Sequence, residues 1–556
     1  MGEVNGGHLV VRALKREGVE YIFSLSGGHI DPIYQACLDE GIKVIDTRHE
    51  QAAAHMAEAW GRLNRKPGVC VVTAGPGFTD AITGVANAWE SRTPMIFISG
   101  RSAISQTETL ALQELEQIDI IRPFIKWGRV AYETHRLDEF TAIAFRHATT
   151  GRPGVSFLEI PMDVMYKTVD EKTAVEPEGY RPRYQPGGAE KGLRAATKLL
   201  REAQKPAIII GSGAYYAHAE EELKAFCELA DIPVFNNLMG RGMLRGCDIH
   251  NAGFAMASSE TLAACDLIFI LGSRLGLFLN YGGSTIFSPE AKVIQVDIDG
   301  EEIGRNRKID VGIVGDVKEV LRGLTEIIYE KPYSHSGWLE TVSHEVKTAR
   351  KNMLKNMLTF GEEEPIHPAR LMGEINAFLD NDAVVVADGG DTSVWTLLTQ
   401  EPYEPGHFLV SGGFGCLGVG IPYGLAAKLR YPDKQVLVTM GDGSAGLNLM
   451  EFNTAVRFNL PIVMVISNDC SWGMIRHGQE KIFGSDRVVG CELGEVAYEK
   501  VVEALGGYGE RVTKAKDIKP ALERAFASNK PACLNVFTDP AVGSPTAELL
   551  AELRKS

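Results

Sequence analysis

The 556-residue sequence has no run of about 18 apolar residues, the length a helix needs to cross a bilayer, so no membrane-spanning segment is expected. It has no low-complexity segment and no strong internal sequence repeat, which argues against a disordered chain or a solenoid. The N-terminus, MGEVNGGHLVVRALKREGVE, lacks the apolar core and small-residue cleavage site of a secretory leader and reads as an amphipathic helix of the fold. Nine cysteines are scattered from Cys37 to Cys533 without paired spacing, which suits reduced thiols and a cytoplasmic location better than a disulfide framework. No basic block offsets the net charge of −15, so neither nucleic acid nor an anionic membrane is expected as a partner.

What the chain does have is the composition of a soluble globular protein, 45% apolar and 23% charged, in a length that calls for two or three domains. Short Val- and Ile-rich runs alternate with helical periodicity throughout, the signature of doubly wound parallel sheets and hence of an α/β fold. Residues 1–180 carry strands at YIFSLS, KVIDTR, GVCVVTA, PMIFISG and VSFLEI. The Pro-, Gly- and charge-rich stretch EKTAVEPEGYRPRYQPGG reads as a linker. A central unit over 190–350 has strands at AIIIGSG, PVFNN, DLIFILGS and KVIQVDI, and a charged helix near 335–358 precedes a third unit over 360–545. Strands of the third unit fall at AVVVAD, HFLVSG, QVLVTM, PIVMVIS and ACLNVFT, and the two end units look alike as architecture. In the central unit GSGAYY hints at a dinucleotide fold without completing its glycine fingerprint, and Asp297 and Asp299 end a strand where ribose hydroxyls could be met.

The stretch Gln435–Gly473 organises the rest: a strand, GDGS, a helix expected to start after Ser444, a second strand and NDCSWG. Gly441 and Gly443 flank Asp442, so bare backbone N–H groups can approach an anion, and the helix adds its positive end. Asp442 would repel a diphosphate unless a cation lay between them. Asn468 and Asp469 supply further oxygens at the next strand end, with 24 residues between Gly443 and Asn468, and hard oxygen ligands facing phosphate suit Mg²⁺.

This spacing resembles the thiamine-diphosphate motif of the family containing acetolactate synthase, benzaldehyde lyase and 2-hydroxyacyl-CoA lyase. The resemblance implies that Asp442, Asp469 and the carbonyl of Ser471 hold the metal, with Gly441, Gly443, Ser444, Trp472 and Gly473 around the diphosphate. Many members have two asparagines where this chain has Asn468 and Asp469. DTRHEQAAAHMAEAW followed by VTAGPG resembles the pyrimidine-binding domain of the family, in which Glu50 would contact the aminopyrimidine. A carboxylic acid on that ring favours the imino tautomer, whose nitrogen then serves as an internal base. In SGGFGCLGVG the resemblance puts the carbonyl of Gly415 on the amino group and the side chain of Leu417 under the bend of the cofactor.

His29, next to Gly28 in SLSGGHIDPI, and Gln113 in ETLALQELEQ resemble the residues that handle the substrate hydroxyl in benzaldehyde lyase and in 2-hydroxyacyl-CoA lyases. Met162 and Ser393 stand where the aromatic pocket of benzaldehyde lyase is expected. RHEQAAAHMAEAWGR and SWGMIRHGQE match acetolactate synthase, except that Gly478 lies near the place of its acceptor-selecting tryptophan. The expectation is therefore a thiamine-diphosphate- and Mg²⁺-dependent lyase or carboligase acting on 2-hydroxy carbonyl compounds, with a small aldehyde, 2-hydroxy ketone or acyl-CoA as substrate. Acetolactate-synthase-like condensation of 2-oxo acids is the alternative, and a non-catalytic nucleotide-binding protein conflicts with Glu50, Asp442 and Asp469 all being present. The resemblance also implies a homodimer or homotetramer, because the cofactor lies between the first domain of one subunit and the third of another, and it leaves ADP, FAD or nothing in the central domain. Arg554 and Lys555 in the tail PTAELLAELRKS are candidate contacts for the phosphates of a CoA ester.

Overall fold

The computed structural model describes residues 2–361 and 364–545; Arg554 and Lys555 lie outside the described residues. Each apolar run singled out as a strand forms one, because continuous Val, Ile and Leu suits a strand buried on both faces. The strands gather into three six-stranded parallel sheets, and a short antiparallel pair, Glu3–Asn5 with Thr168–Asp170, closes the first unit. The first sheet is ordered Lys43–Asp46, Tyr21–Ser24, Gly68–Val72, Met95–Arg101, Val155–Pro161, Trp127–Val130. The third runs Phe408–Val410, Val384–Ala387, Val436–Gly441, Val463–Asn468, Ala532–Phe537, Tyr508–Val512. Numbered within its own unit, each follows 2-1-3-4-6-5, so the likeness of the end units extends to strand order. The central sheet instead follows 3-2-1-4-5-6, the order of dinucleotide-binding folds.

Residues 174–189 carry neither helix nor strand, and Ser336–Met357 is the long helix ahead of the third unit. One expectation is corrected: the helix after GDG starts at Asp442, not after Ser444, and it breaks into Asp442–Asn448 and Glu451–Arg457. An aspartate in the first turn is favoured by the helix dipole, so Asp442 sits inside the turn that it was expected to precede.

The first and third units meet where helix Glu50–Asn64 packs on helix Gly420–Arg430. The contact is polar and fully buried. Arg62 donates to Glu58 at 2.6 Å and to the carbonyl of Val410 at 2.6 Å, Asn87 donates to Glu58 and to the Tyr423 hydroxyl, and the hydroxyl of Tyr215, from the central unit, donates to the Arg62 carbonyl. Burial alone would push the Glu58 carboxyl up, but Arg62, with His55 and Asn87, outweighs it and holds the group at about 2. Glu58→Ala leaves the Arg62 guanidinium buried without a carboxylate, at a cost of about 3–5 kcal/mol, and the first unfolding transition should fall by several degrees at pH 7. Because the folded value lies below the ordinary 4.5, this contribution is present above that pH and shrinks as pH falls toward 2. Thermal melts of both chains at pH 7 and pH 4 check it; equal melting at pH 7 would contradict it.

Candidate active site

Open parallel sheets bind ligands where the strand order reverses, because the loops there diverge and leave a crevice. In the third unit that point lies between Val384–Ala387 and Val436–Gly441, and the loops leaving these strands carry Gly389, Gly390, Asp391 and Asp442. A cavity of about 360 Å³ opens there. Ser393, Gly415, Leu417, Gly441, Asp442, Gly443, Ser444, Asp469, Ser471, Trp472 and Gly473 all line it. Three helices, Asp391–Thr399, Asp442–Asn448 and Gly473–Phe483, start at its wall and turn their N–H ends toward it. Convergent helix N-termini make an anion site.

Two glycines make the approach possible. A Cβ on Gly443 would overlap the Trp472 ring, and one on Gly473 would overlap the Asp469 carboxylate. Asp442 is buried and Asp469 half-buried beside it; burial first, then the charge of Asp469, raises Asp442 far above the carboxylate range, and burial raises Asp469 as well. Asp442 Oδ2 and Ser471 Oγ are buried without a hydrogen-bond partner, while the Tyr498 hydroxyl holds the Asp442 carbonyl at 2.9 Å. Among the described residues no three His, Cys, Asp or Glu side chains converge on one point. A cation here would therefore take two carboxylate oxygens and complete its shell with backbone carbonyl, phosphate and water oxygens, a hard-oxygen set suited to Mg²⁺ and not to zinc. Asn468 is spent on structure: its amide donates to Asn535 and its oxygen accepts from the Cys470 N–H.

The reversal point of the first unit lies between Tyr21–Ser24 and Gly68–Val72, and a second group gathers there. His29 Nδ1 lies 3.1 Å from Thr73 Oγ1, and Thr73 Oγ1 donates to Gln113 Oε1 at 3.3 Å. Gln113 Oε1 can only accept, so the Thr73 proton goes to it and His29 must donate from Nδ1. Burial lowers the His29 pKa, which keeps the ring neutral with its lone pair on Nε2. The close fit depends on glycine: a Cβ on Gly100 would overlap that of His29, and one on Gly75 would sit 2.9 Å from that of Gln113, which itself holds φ at +60°. Glu50 opens its helix beside Gly77, whose Cβ would lie 3.2 Å from Glu50 Oε1. Burial pushes the Glu50 carboxyl up, and no side chain among the described residues hydrogen-bonds it. The Tyr166 hydroxyl fixes the carbonyl of Gly28 at 3.0 Å, and Met162 opens the same short helix as Tyr166.

Gly28, His29, Glu50, Gln113 and Met162 are not among the residues that line the third-unit cleft. Both groups are bordered by exposed apolar side chains, Leu110 at 96% and Leu112 at 79% beside Gln113, and Phe414 and Ile475 at the cleft. Thr73 was not foreseen, although it stands in the VTAGPG stretch that follows the Glu50 helix. Nor was the pair of Asp391 and His477, 2.9 Å apart at the cleft wall.

In the central unit a cavity of about 240 Å³ lies at the strand ends, lined by Gly211, Asn237, Ser273, Arg274 and Arg305 among others. Gly213 is needed for packing, since its Cβ would lie 2.6 Å from Gly272 Cα. Asp299 binds Arg152 at 2.7 Å and caps the turn at Glu301, while Asp297 accepts from the Asp299 N–H.

An acidic, glycine-lined cleft at which three helices start, with a carboxyl pushed up by burial on a separate α/β unit, suits an enzyme that binds a phosphorylated cofactor. Family models of thiamine pyrophosphate enzymes match all three units: the N-terminal TPP-binding domain over 4–120, the central domain over 193–324 and the C-terminal TPP-binding domain over 388–536. The chain belongs to the thiamine pyrophosphate enzyme family. It is 36% identical to the acetolactate synthase large subunit of Mycobacterium tuberculosis over 99% of this chain and 98% of the relative. A 2-hydroxyacyl-CoA lyase of Arabidopsis thaliana is 32% identical over 98% and 97%, and the oxalyl-CoA decarboxylase of Escherichia coli 31% identical over 98% and 97%. The protein is thus a thiamine-diphosphate-dependent enzyme.

Gly473→Ala should push the Asp469 carboxylate out of place and raise the dissociation constant for thiamine diphosphate with a divalent cation by about 10- to 100-fold, the scale seen when a metal ligand loses its support. Calorimetric titration checks it, with circular dichroism to show an intact fold. Unchanged affinity would contradict the geometry.

Proposed function

We propose that this enzyme makes or breaks a carbon–carbon bond next to a hydroxyl, as a lyase or carboligase of 2-hydroxy carbonyl compounds that transfers a small aldehyde or formyl unit. The observation that carries this reading is the directed chain from His29 through Thr73 to Gln113, which leaves Nε2 of a neutral imidazole free to take the proton of a substrate hydroxyl. Thiamine diphosphate, when bound, supplies the electron sink that a transferred acyl unit requires. Asp442, Asp469 and the Ser471 carbonyl would hold Mg²⁺ against the diphosphate, and the three helix ends would take its remaining oxygens. Glu50, whose carboxyl burial pushes up from its ordinary value, would hydrogen-bond the pyrimidine ring, while the Gly415 carbonyl and the Leu417 side chain would orient the cofactor.

Because the Glu50 group is not among the residues that line the Asp442 cleft, a second copy would complete each site, making a homodimer or homotetramer the working unit. The exposed Leu110 and Leu112 beside one group and Phe414 and Ile475 beside the other support this, since exposed apolar side chains at both groups suit burial against a second copy. Met162 and Ser393 favour small aliphatic partners over a benzaldehyde ring. A CoA ester would need room for its nucleotide, for which the central cavity near Gly211 is the candidate.

A second reading, acetolactate-synthase-like condensation of 2-oxo acids, draws on the identity to the Mycobacterium protein, which exceeds that to the plant lyase. The comparison that separates the readings is of kcat/KM for a 2-hydroxyacyl-CoA, for benzoin cleavage and for pyruvate condensation. Dominant acyl-CoA or small-aldehyde chemistry supports the lyase, and dominant acetolactate formation overturns it. His29→Ala is expected to lower kcat about 10²-fold with little change in cofactor affinity, and to abolish an acid limb of the pH–rate profile lying below 6.5. Glu50→Gln should slow hydrogen–deuterium exchange at C2 of bound cofactor by about two orders of magnitude, read by NMR. An unchanged exchange rate would return Glu50 to the role of a helix-terminal acid.

A further inference from the structure

The last strand of the third sheet runs into a segment that wraps the cleft. Thr538, Asp539 and Val542 line the cavity. Up to Asp539 the segment is held by the sheet: Thr538 N donates to the Asn468 carbonyl at 2.9 Å and Asp539 N to the Ile366 carbonyl at 2.9 Å. Beyond it a side-chain pair takes over. Asp391 Oδ2 lies 2.9 Å from His477 Nδ1, His477 Nε2 lies 2.9 Å from the Pro540 carbonyl, and Asp391 Oδ1 accepts from the Ser544 N–H at 3.1 Å. A carboxylate and a carbonyl both only accept, so both ring nitrogens of His477 carry protons and the ring is an imidazolium. Asp391 opens the helix Asp391–Thr399 and His477 lies on the helix Gly473–Phe483, so the pair ties two cleft-facing helices to the segment that covers them. Neither residue has a part in the chemistry described above. The Val542 side chain shares the cavity wall with Met474 and Ile475, an apolar surface that offers a phosphate nothing and suits the carbon chain of a small carbonyl compound.

We propose that Asp391 and His477 are positioning residues that fasten segment 538–545 as one wall of the substrate end of the cleft, and that Val542 on this wall sets the size of carbon chain the enzyme accepts. The inference rests on the cleft being the thiamine diphosphate site. The clamp is charge-assisted on both sides of the imidazole, so its loss frees the segment while the carboxylates at Asp442 and Asp469 stay in place.

Three measurements on the full-length holoenzyme test it. In His477→Ala, amide hydrogen exchange over 538–545 should quicken by about tenfold or more, the scale of a lost charge-assisted hydrogen bond, while the dissociation constant for thiamine diphosphate with Mg²⁺ moves little. KM for acetaldehyde as acceptor, with the donor found active in the comparison above, should rise more than kcat falls. His477→Gln, whose amide keeps two N–H donors, should recover much of the loss. Val542→Ala should raise the ratio of kcat/KM for benzaldehyde to that for acetaldehyde by about tenfold, since a pocket discriminates by about that much per methylene. Unaltered exchange, an unaltered ratio, or a loss of cofactor affinity as large as the rise in KM would overturn the inference. If the wild-type chain binds no thiamine diphosphate, the reading of the cleft itself fails, whereas normal cofactor binding with unaltered exchange and ratio defeats only the clamp and its wall.

Discussion

Two carboxylates brought together at adjacent strand ends, where burial penalises their charge, are the constraint on which the third unit depends. Asp442, buried, and Asp469, half-buried, reach the same place from adjacent strand ends, where burial raises both carboxyls and the charge of Asp469 raises Asp442 further. Only a cation relieves that cost while leaving both as ligands, and a cation there in turn makes a diphosphate welcome. The surroundings follow from keeping this pair in place. Gly443 and Gly473 leave the room that side chains would fill, Tyr498 fixes the backbone at Asp442, and three helices turn their N–H ends toward the same cavity. The unpartnered Asp442 Oδ2 and Ser471 Oγ are polar atoms waiting for a ligand and not defects of packing.

The first unit answers with the opposite kind of site. Its strand order repeats that of the third, so its crevice falls at the same point of the fold, but it holds an imidazole, a threonine, an amide and an acid that burial pushes up from its ordinary value. One unit manages charge and the other manages protons. The junction of Glu58, Arg62, Asn87 and Tyr423 joins the two units of one chain through the flank of the helix that Glu50 opens. In the proposed reading, the proton-handling group of one chain meets the anion cleft of another.

How much of this was legible in the sequence depended on how strongly burial marks a residue. Strands buried on both faces read as unbroken apolar runs and were all seen. The four missed from the large sheets, Trp127–Val130, Asn251–Phe254, Val311–Val314 and Tyr508–Val512, are all edge strands, where one side meets solvent and glycine or charge breaks the run. The residues that line the acidic cleft could be grouped from the sequence because glycine, aspartate and spacing are local. Thr73 was not, since a threonine at a strand end has no meaning until the fold sets it between His29 and Gln113. Asp391 and His477 were missed for the same reason: they lie 86 residues apart in the chain and come together only when two helices start at one cavity. Asp297 and Asp299, marked in sequence only by their place at a strand end, also make local turn hydrogen bonds that the sequence did not show.

The central claim is that each working site combines the Glu50 group of one copy with the Asp442 cleft of another. Mixing two inactive variants, Glu50→Gln and Asp442→Ala, under conditions that exchange subunits tests it most directly. A heterodimer places both lesions in one site and leaves the other intact, so activity and thiamine diphosphate binding should return to the mixture at up to one intact site per heterodimer. If subunit exchange is demonstrated and the mixture stays as inactive as its components, the site is built within a single chain and the account is wrong.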